Sequence, residues 1–308
     1  VKSGVNEVRV LLNNQEESSR WYPGAGLYRP VTLITAGDAR IDPWATVFKT
    51  VNLAGSKAQV YVETQATTPK GKAGARLAVR LLDANGRAVA QKNLTANAQG
   101  TAAVQLNIAN ANAWSPEQPY LYTLEVSLYQ GNKLADRLRQ RVGIRTVAVS
   151  KEHGFQLNGQ SRKFKGVCLH HDLGPLGAAV NKAAIIRQIR LMKDMGVDAI
   201  RTSHNMPSQM QMQVCDSMGM MVMAESFDAW KEPKVKNGYN LFYDQWWRKD
   251  LENLIRGHRN HPSIVMWSIG NEIPEQWNKE GAQRAKDMTD YCHQLDNTRP
   301  VTCGGDNP

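Results

Sequence analysis

The sequence predicts a multidomain β plus α/β chain: an immunoglobulin-like β-sandwich over residues 41–150, then the first half of a (β/α)8 TIM barrel over residues 151–308. Three observations carry this. Residues 41–150 hold several short β-rich runs separated by turn signals. After about residue 151 apolar runs alternate with helix-period stretches, which implies a parallel sheet. Polar residues then collect where those runs end: His170, Arg201 and His204, Glu225 and Asp228, Asn271 and Glu272. Such a barrel carries its chemistry at the C-terminal ends of its strands.

Residues 1–40 read as short strands and turns, with a strand-like run at 7–11. Residues 20–30 form a glycine-rich turn presenting aromatics; no helix-period run follows its G-x-G, so it is a poor phosphate loop. In the sandwich, Leu77-Ala78-Val79-Arg80-Leu81-Leu82 and Arg87-Ala88-Val89-Ala90 flank Asp83-Ala84-Asn85-Gly86, a hairpin with an Asn-Gly turn. Val104-Gln105-Leu106-Asn107-Ile108 alternates, and residues 120–129 and 142–149 supply two further strands. In the second half, strands are expected at 163–169, 197–203, 220–225, 264–269 and from 301. Helices are expected at 185–195, 210–218, 243–257 and 281–295. A Rossmann sheet would need a Gly-rich first turn, and Leu169-His170-His171-Asp172 is not one. A barrel needs about 250 residues, so four and a half units are expected to be half of one.

Composition narrows the classes. No run of the 308 residues reaches the ~18 apolar residues of a membrane span. Eight Trp and nine Tyr argue against disorder. Four scattered cysteines (Cys168, Cys215, Cys292, Cys303) form no C-x-x-C pair, which argues against a disulfide scaffold or zinc ribbon. Of the net charge of +10, residues 1–150 carry +8, from 18 Lys+Arg against 10 Asp+Glu. The basic residues are dispersed, so the expectation is solvated strand faces and no nucleic-acid partner.

The strand ends suggest acid–base chemistry. Glu272 follows the apolar run Trp267-Ser268-Ile269-Gly270-Asn271. A carboxyl group in a cleft near aromatic rings has its pKa raised by desolvation and can protonate a leaving oxygen. The alternative is an ordinary surface glutamate. Asn271 beside it can hydrogen-bond a substrate hydroxyl. His170, His204, Glu225 and Glu272 could instead ligate a metal, but H-x-H and H-x-x-E-H spacings are absent, and adjacent His170-His171 point to opposite sides of an extended segment. Of Trp230, Trp246, Trp247, Trp267 and Trp277, Trp230 is the best sugar-stacking candidate, because it follows a strand end.

The segment Asp198-Ala199-Ile200-Arg201-Thr202-Ser203-His204-Asn205-Met206-Pro207 resembles the first signature of glycoside hydrolase family 2. Arg259-Asn260-His261-Pro262-Ser263 running on through Asn271-Glu272 resembles its second. Val142-Gly143-Ile144-Arg145 is similar to the strand leaving the family's sandwich, and residues 19–31 to the end of its N-terminal jelly-roll domain. The resemblance implies three parts: 1–40, the end of a sugar-binding jelly roll; 41–150, the sandwich; 151–308, the first half of the catalytic barrel.

It also implies a retaining exo-β-glycosidase, closest to β-galactosidases, with β-glucuronidases and β-mannosidases as cousins. Glu272 matches the acid/base, and Asn271, His170 and His204 match sugar-holding residues. Asp228 and Trp230 join these as substrate contacts, and Arg201 and Glu225 match supporting groups. No cofactor is required, although a divalent or sodium ion occurs in some relatives. The expected partner is a carbohydrate, with homo-oligomerisation open and a periplasmic or secreted location favoured.

Two departures stand out. The family usually has His-Tyr-Pro where this chain has His204-Asn205-Met206-Pro207. Its nucleophile, a glutamate near the seventh strand, has no counterpart here, so the chain is expected to be truncated and inactive alone. Glu225, one strand (~4.8 Å) from Glu272, fits the ~5–5.5 Å carboxylate spacing of retaining enzymes. It approaches from the same side, however, so tuning of Glu272 is the preferred role. The competing class is a non-catalytic carbohydrate-binding or structural module.

Overall fold

The computed structural model describes residues 3–20, 26–69 and 74–305. Eight strands build the first unit: β1 (Arg40–Ile41), β2 (Val47–Ala54), β3 (Lys57–Thr67), β4 (Arg76–Leu82), β5 (Ala88–Thr95), β6 (Thr101–Ile108), β7 (Tyr122–Gln130) and β8 (Lys133–Val142). They form two antiparallel sheets, one centred on β3 with β1, β2 and β6, the other in the order β5-β4-β7-β8. Period-2 alternation decides which residues face inward. Val60, Val62 and Ala66 of β3 meet Leu77, Val79 and Leu81 of β4 and Leu124, Val126 and Leu128 of β7 in one core. The β4–β5 turn is the expected hairpin: the Asp83 carboxylate accepts from the N–H groups of Asn85 and Arg87. Gly86 takes a φ of 78° there, which few side chains tolerate. Part of the basic excess has a local cause, since Glu125, almost fully buried, accepts from Arg80 and Arg139.

Two expectations change. Among the described residues of 3–39 no strand forms, and Val8 and Leu11 of the strand-like run are exposed. An extended segment without a partner strand has no ladder to join. The strand expected at 142–149 is split: β8 ends at Val142, and β9 (Val147–Ser150) starts a small meander with β10 (Gly154–Leu157) and β11 (Gln160–Ser161). Between them Arg145 turns into the next unit, donating to the carbonyls of Pro262 and Ile264.

That unit has five strands, β12 (Gly166–Leu169), β13 (Ala199–Thr202), β14 (Met221–Glu225), β15 (Ile264–Asn271) and β16 (Val301–Gly304), parallel and in sequence order. The connecting helices are α1 (Lys182–Asp194), α2 (Gln209–Met218), α3 (Tyr243–His258) and α4 (Lys279–Leu295). Asn181, Ser208 and Asn278 cap α1, α2 and α4 with side-chain oxygens. Strands and helices share one core that includes Ile200, Val222, Leu254, Trp267 and Met288.

The sandwich docks on the N-terminal face of this sheet. Trp114, fully buried, donates its indole N–H to Asp216 O, and the Asn260 amide bridges Phe48 N–H and Thr46 O. The early part of the second signature is therefore a docking surface, while its last two residues lie at the opposite end of β15. No helix among the described residues is long and apolar enough to cross a membrane.

Candidate active site at the strand C-terminal ends

Successive parallel strands deliver the polar residues to one end of the sheet. Glu225, last in β14 and fully buried, accepts from Arg201 Nε at 2.7 Å, His204 Nδ1 at 2.7 Å and Ser268 Oγ at 2.6 Å. Its oxygens are committed to charge-assisted bonds. These three bonds fix the orientation of His204 and Arg201. Arg201 passes the constraint on: its Nη2 donates to Asn271 Oδ1 at 2.8 Å. The other side of that amide, Nδ2, donates to Asp228 at 3.0 Å, so both faces of Asn271 are oriented. His170 meets His204 edge to face, with centroids 5.0 Å apart. Burial, then the neighbouring His204, lowers the pKa of His170, favouring the neutral ring. His171 turns away toward Tyr28, as alternation along an extended segment requires.

Asp228 organises the outer half. It accepts from Arg20 Nε (3.0 Å) and Nη2 (2.7 Å), Asn271 Nδ2 and Lys234 Nζ (3.1 Å). Burial pushes its pKa up, but these donors outweigh burial and hold it at about 2. Lys234 also donates to Asn271 O at 2.6 Å. Glu272 follows with a left-handed backbone, φ 44°, its N–H donating to Gly304 O at 2.7 Å. Such a conformation costs about 1–3 kcal/mol and is held only where surroundings enforce it. The Glu272 side chain is 47% exposed, and Arg20 Nη2 lies 3.5 Å away.

The surroundings of Glu272 and Trp230 differ from the expectation. Within these residues Glu272 is half-exposed beside the Arg20 guanidinium, and the indoles of Trp230 and Trp267 are buried. Trp230 is 1% exposed and donates Nε1 to Ile269 O at 2.6 Å. It offers no face to a sugar and is a core residue. Trp267 is likewise buried, bonded to Asp296.

A cavity of about 580 Å³ opens beside this network, within the usual ~300–1,000 Å³ of small-molecule sites. Its barrel wall includes His204, Asn205, Asp228 and Lys234; its other wall is Ser18 and Tyr28 of the N-terminal segment. That segment is tied down by Tyr28 O to Val180 N–H, by Asn237 to the carbonyls of Glu16 and Glu17, and by Arg29 to Met206 O. Residues 21–25 of the aromatic turn expected at 20–30 lie outside the described residues. Asn205, the departure from His-Tyr-Pro, lines the cavity. Sequence reasoning missed Arg20, Lys234 and Ser268. Arg20 meets Asp228 across 208 residues of chain, and no local pattern marks such a pair.

Among the described residues no group of three His, Cys, Asp or Glu is placed to hold a metal ion. Asp228 and Glu225 accept from cationic, amide and hydroxyl donors.

Residues 39–145 match the family described as glycosyl hydrolases family 2, and residues 147–308 match glycosyl hydrolases family 2, TIM barrel domain. The chain belongs to glycoside hydrolase family 2. Among this family 2 chain's relatives, a β-galactosidase (BoGH2A) of Bacteroides ovatus is 36% identical over 98% of this chain and 40% of its own length. A putative β-glucuronidase of Formosa agariphila is 37% identical over all of this chain and 29% of its own length. A family 2 crystal structure from Bacteroides cellulosilyticus superposes with a TM-score of 0.88 at 36% identity, covering 94% of this chain and 38% of that one. The family 2 chain thus spans two-fifths or less of the length of these relatives.

Proposed function

We propose that the protein is a retaining exo-β-glycosidase acting on terminal β-D-galactosides. In this reading residues 1–40 end a jelly-roll domain, 41–150 are an immunoglobulin-like sandwich, and 151–308 are the first half of the catalytic barrel. The observation that carries it is Glu272 at the end of β15, next to an Asn271 amide oriented from both sides by Arg201 and Asp228, while His204 and Asp228 of the same network line the 580 Å³ cavity. Glu272 protonates the glycosidic oxygen and then takes a proton from the attacking water. Asn271, His170 and His204 hold the sugar, and Asp228 orders the rim. Arg201 and Glu225 act through these groups.

Glu225 is not the nucleophile, since its carboxylate is fully buried and its oxygens are bonded to Arg201, His204 and Ser268. The second carboxylate comes from outside residues 1–308, and these residues alone give no turnover. The chemistry takes no cofactor. We assign the protein to the periplasm or the exterior, by analogy with polymer-degrading relatives.

A second reading, β-glucuronide hydrolysis, is supported by the names of several relatives, among them β-glucuronidases of Felis catus and Sus scrofa, 36% and 34% identical. The test is a panel of nitrophenyl β-galactoside, β-glucuronide and β-mannoside with the intact protein and Glu272→Gln. The variant should lose far more rate on poor leaving groups than on activated ones, because only the former need a proton. Equal losses on both would remove Glu272 from the acid/base role. Hydrolysis of none by the wild type would favour the non-catalytic module.

A further inference from the structure

A second cavity, of about 360 Å³, lies on the N-terminal face of the barrel sheet, at the seam with the sandwich and away from the strand ends that carry Glu272. Four cationic side chains line it: Lys49 and Arg145 from the sandwich side, Arg259 and Arg299 from the barrel side. No acidic side chain does. Arg145 and Arg299 are buried. Gathering guanidinium groups out of water is unfavourable unless their charge is balanced and their N–H groups are met.

The N–H inventory is uneven. Arg299 has all of its N–H groups satisfied, by Ile264 O, Asp296, Thr298 Oγ1, Arg259 O and His261 O. Arg145 spends Nε and Nη2 on the carbonyls of Pro262 and Ile264, which leaves its Nη1 without a hydrogen-bond partner among the described residues. Arg259 Nη2 donates to Trp44 O, and its Nε is buried with no partner.

The charge inventory is uneven in the same direction. Asp296 is the counter-ion at hand, and its oxygens already accept from Arg299, Trp267 Nε1 and Thr298. The carboxylates farther off are committed as well: Asp216 to His261 and Ser263, Glu63 to the Tyr61 hydroxyl. Burial, followed by the charge of Arg299, lowers the Arg145 pKa from its ordinary range. The guanidinium nevertheless stays charged at neutral pH. Four cationic side chains and no acidic one therefore line one cavity, and the Arg145 guanidinium keeps a spare donor in Nη1.

We propose that this cavity is a binding site for a small multivalent oxyanion of the inorganic phosphate or sulfate class, held by Arg145 and Arg259 with Lys49 at the rim. Planar guanidinium forks match tetrahedral oxyanions bidentately. The occupant is contacted from both units, so it fastens the sandwich to the barrel and adds stability by mass action.

Equilibrium dialysis of the intact protein with labelled inorganic phosphate, at fixed ionic strength in chloride, tests this. Saturable binding of one phosphate per chain is expected, competed by sulfate and not by chloride, with a phosphate-dependent rise in Tm. Arg259→Met should weaken binding about tenfold or more, the loss of a charge-assisted donor. If that variant fails to fold, Lys49→Ala, at the rim, gives the same direction with a smaller factor. No saturable binding, binding equalled by chloride, or binding unchanged in the variant that folds would overturn the proposal. Dialysis reads the site without turnover, so the result stands apart from the glycosidase reading.

Discussion

Replacing Asp228 by Asn keeps the shape of the side chain and removes one charge from the centre of the outer network. The carboxylate is 16% exposed and receives Arg20, Lys234 and Asn271. Burial acts to raise its pKa, yet these donors bring it from the ordinary 3.8 to about 2. At about 1.4 kcal/mol per pH unit, that difference is worth about 2 kcal/mol of stability at neutral pH. The native carboxylate binds its proton more weakly than the unfolded one. The contribution is therefore complete above about pH 4 and is lost as pH falls through about 2. Asp228→Asn should accordingly be about 2 kcal/mol less stable than wild type at pH 7, with the gap closing between about pH 4 and 2. Urea unfolding of both proteins across that range, compared through their midpoints at matched slopes, gives the measurement. A gap of the same size at pH 7 and pH 2.5 would refute the argument, because it would mean that packing of the amide, not charge, sets the cost.

Glu225→Gln should cost about 3–5 kcal/mol in urea unfolding, since it breaks a buried pair with Arg201 and offers His204 or Ser268 an N–H where each needs an acceptor. Its kcat/KM should fall as well, because His204 and Asn271 lose their common anchor. Gly219→Ala, at a φ of 71° and with a Cβ that would sit 2.3 Å from Pro116 O, should cost about 2–4 kcal/mol and lower Tm measurably. Trp230→Phe should cost about 1–3 kcal/mol by leaving Ile269 O unmet, with KM on aryl glycosides unchanged within about twofold. A large rise in KM without loss of stability would return Trp230 to the sugar site.

The parallel sheet was legible because its signal is local. The strands are short apolar runs ended by polar residues, and α1, α2 and α4 start at the capping side chains of Asn181, Ser208 and Asn278, with α2 stopping at Gly219. Periodicity and caps act over a few residues, so reading along the chain recovers them. For the same reason Glu225, Asn271 and Glu272 could be placed at one end of the sheet from sequence alone.

What those residues touch was decided by the tertiary structure. The sequence puts Trp230 after a strand end and suits a stacking surface equally well, but closure of the core over Ile269 buries the ring. The strand-like run at 7–11 carries β propensity without a partner, and a ladder needs two strands. Arg20 reaches Asp228 across 208 residues, and Arg145 reaches Ile264 across 119. The sequence by itself determined the order of the parallel strands and their helices, because short-range sterics and hydrophobic period fix it, and the resemblance to the family signature pointed to the acid/base candidate. Only the folded structure decided which charges pair, which indoles are buried and where the two cavities open, because those follow from distances between segments that nothing in the local pattern encodes.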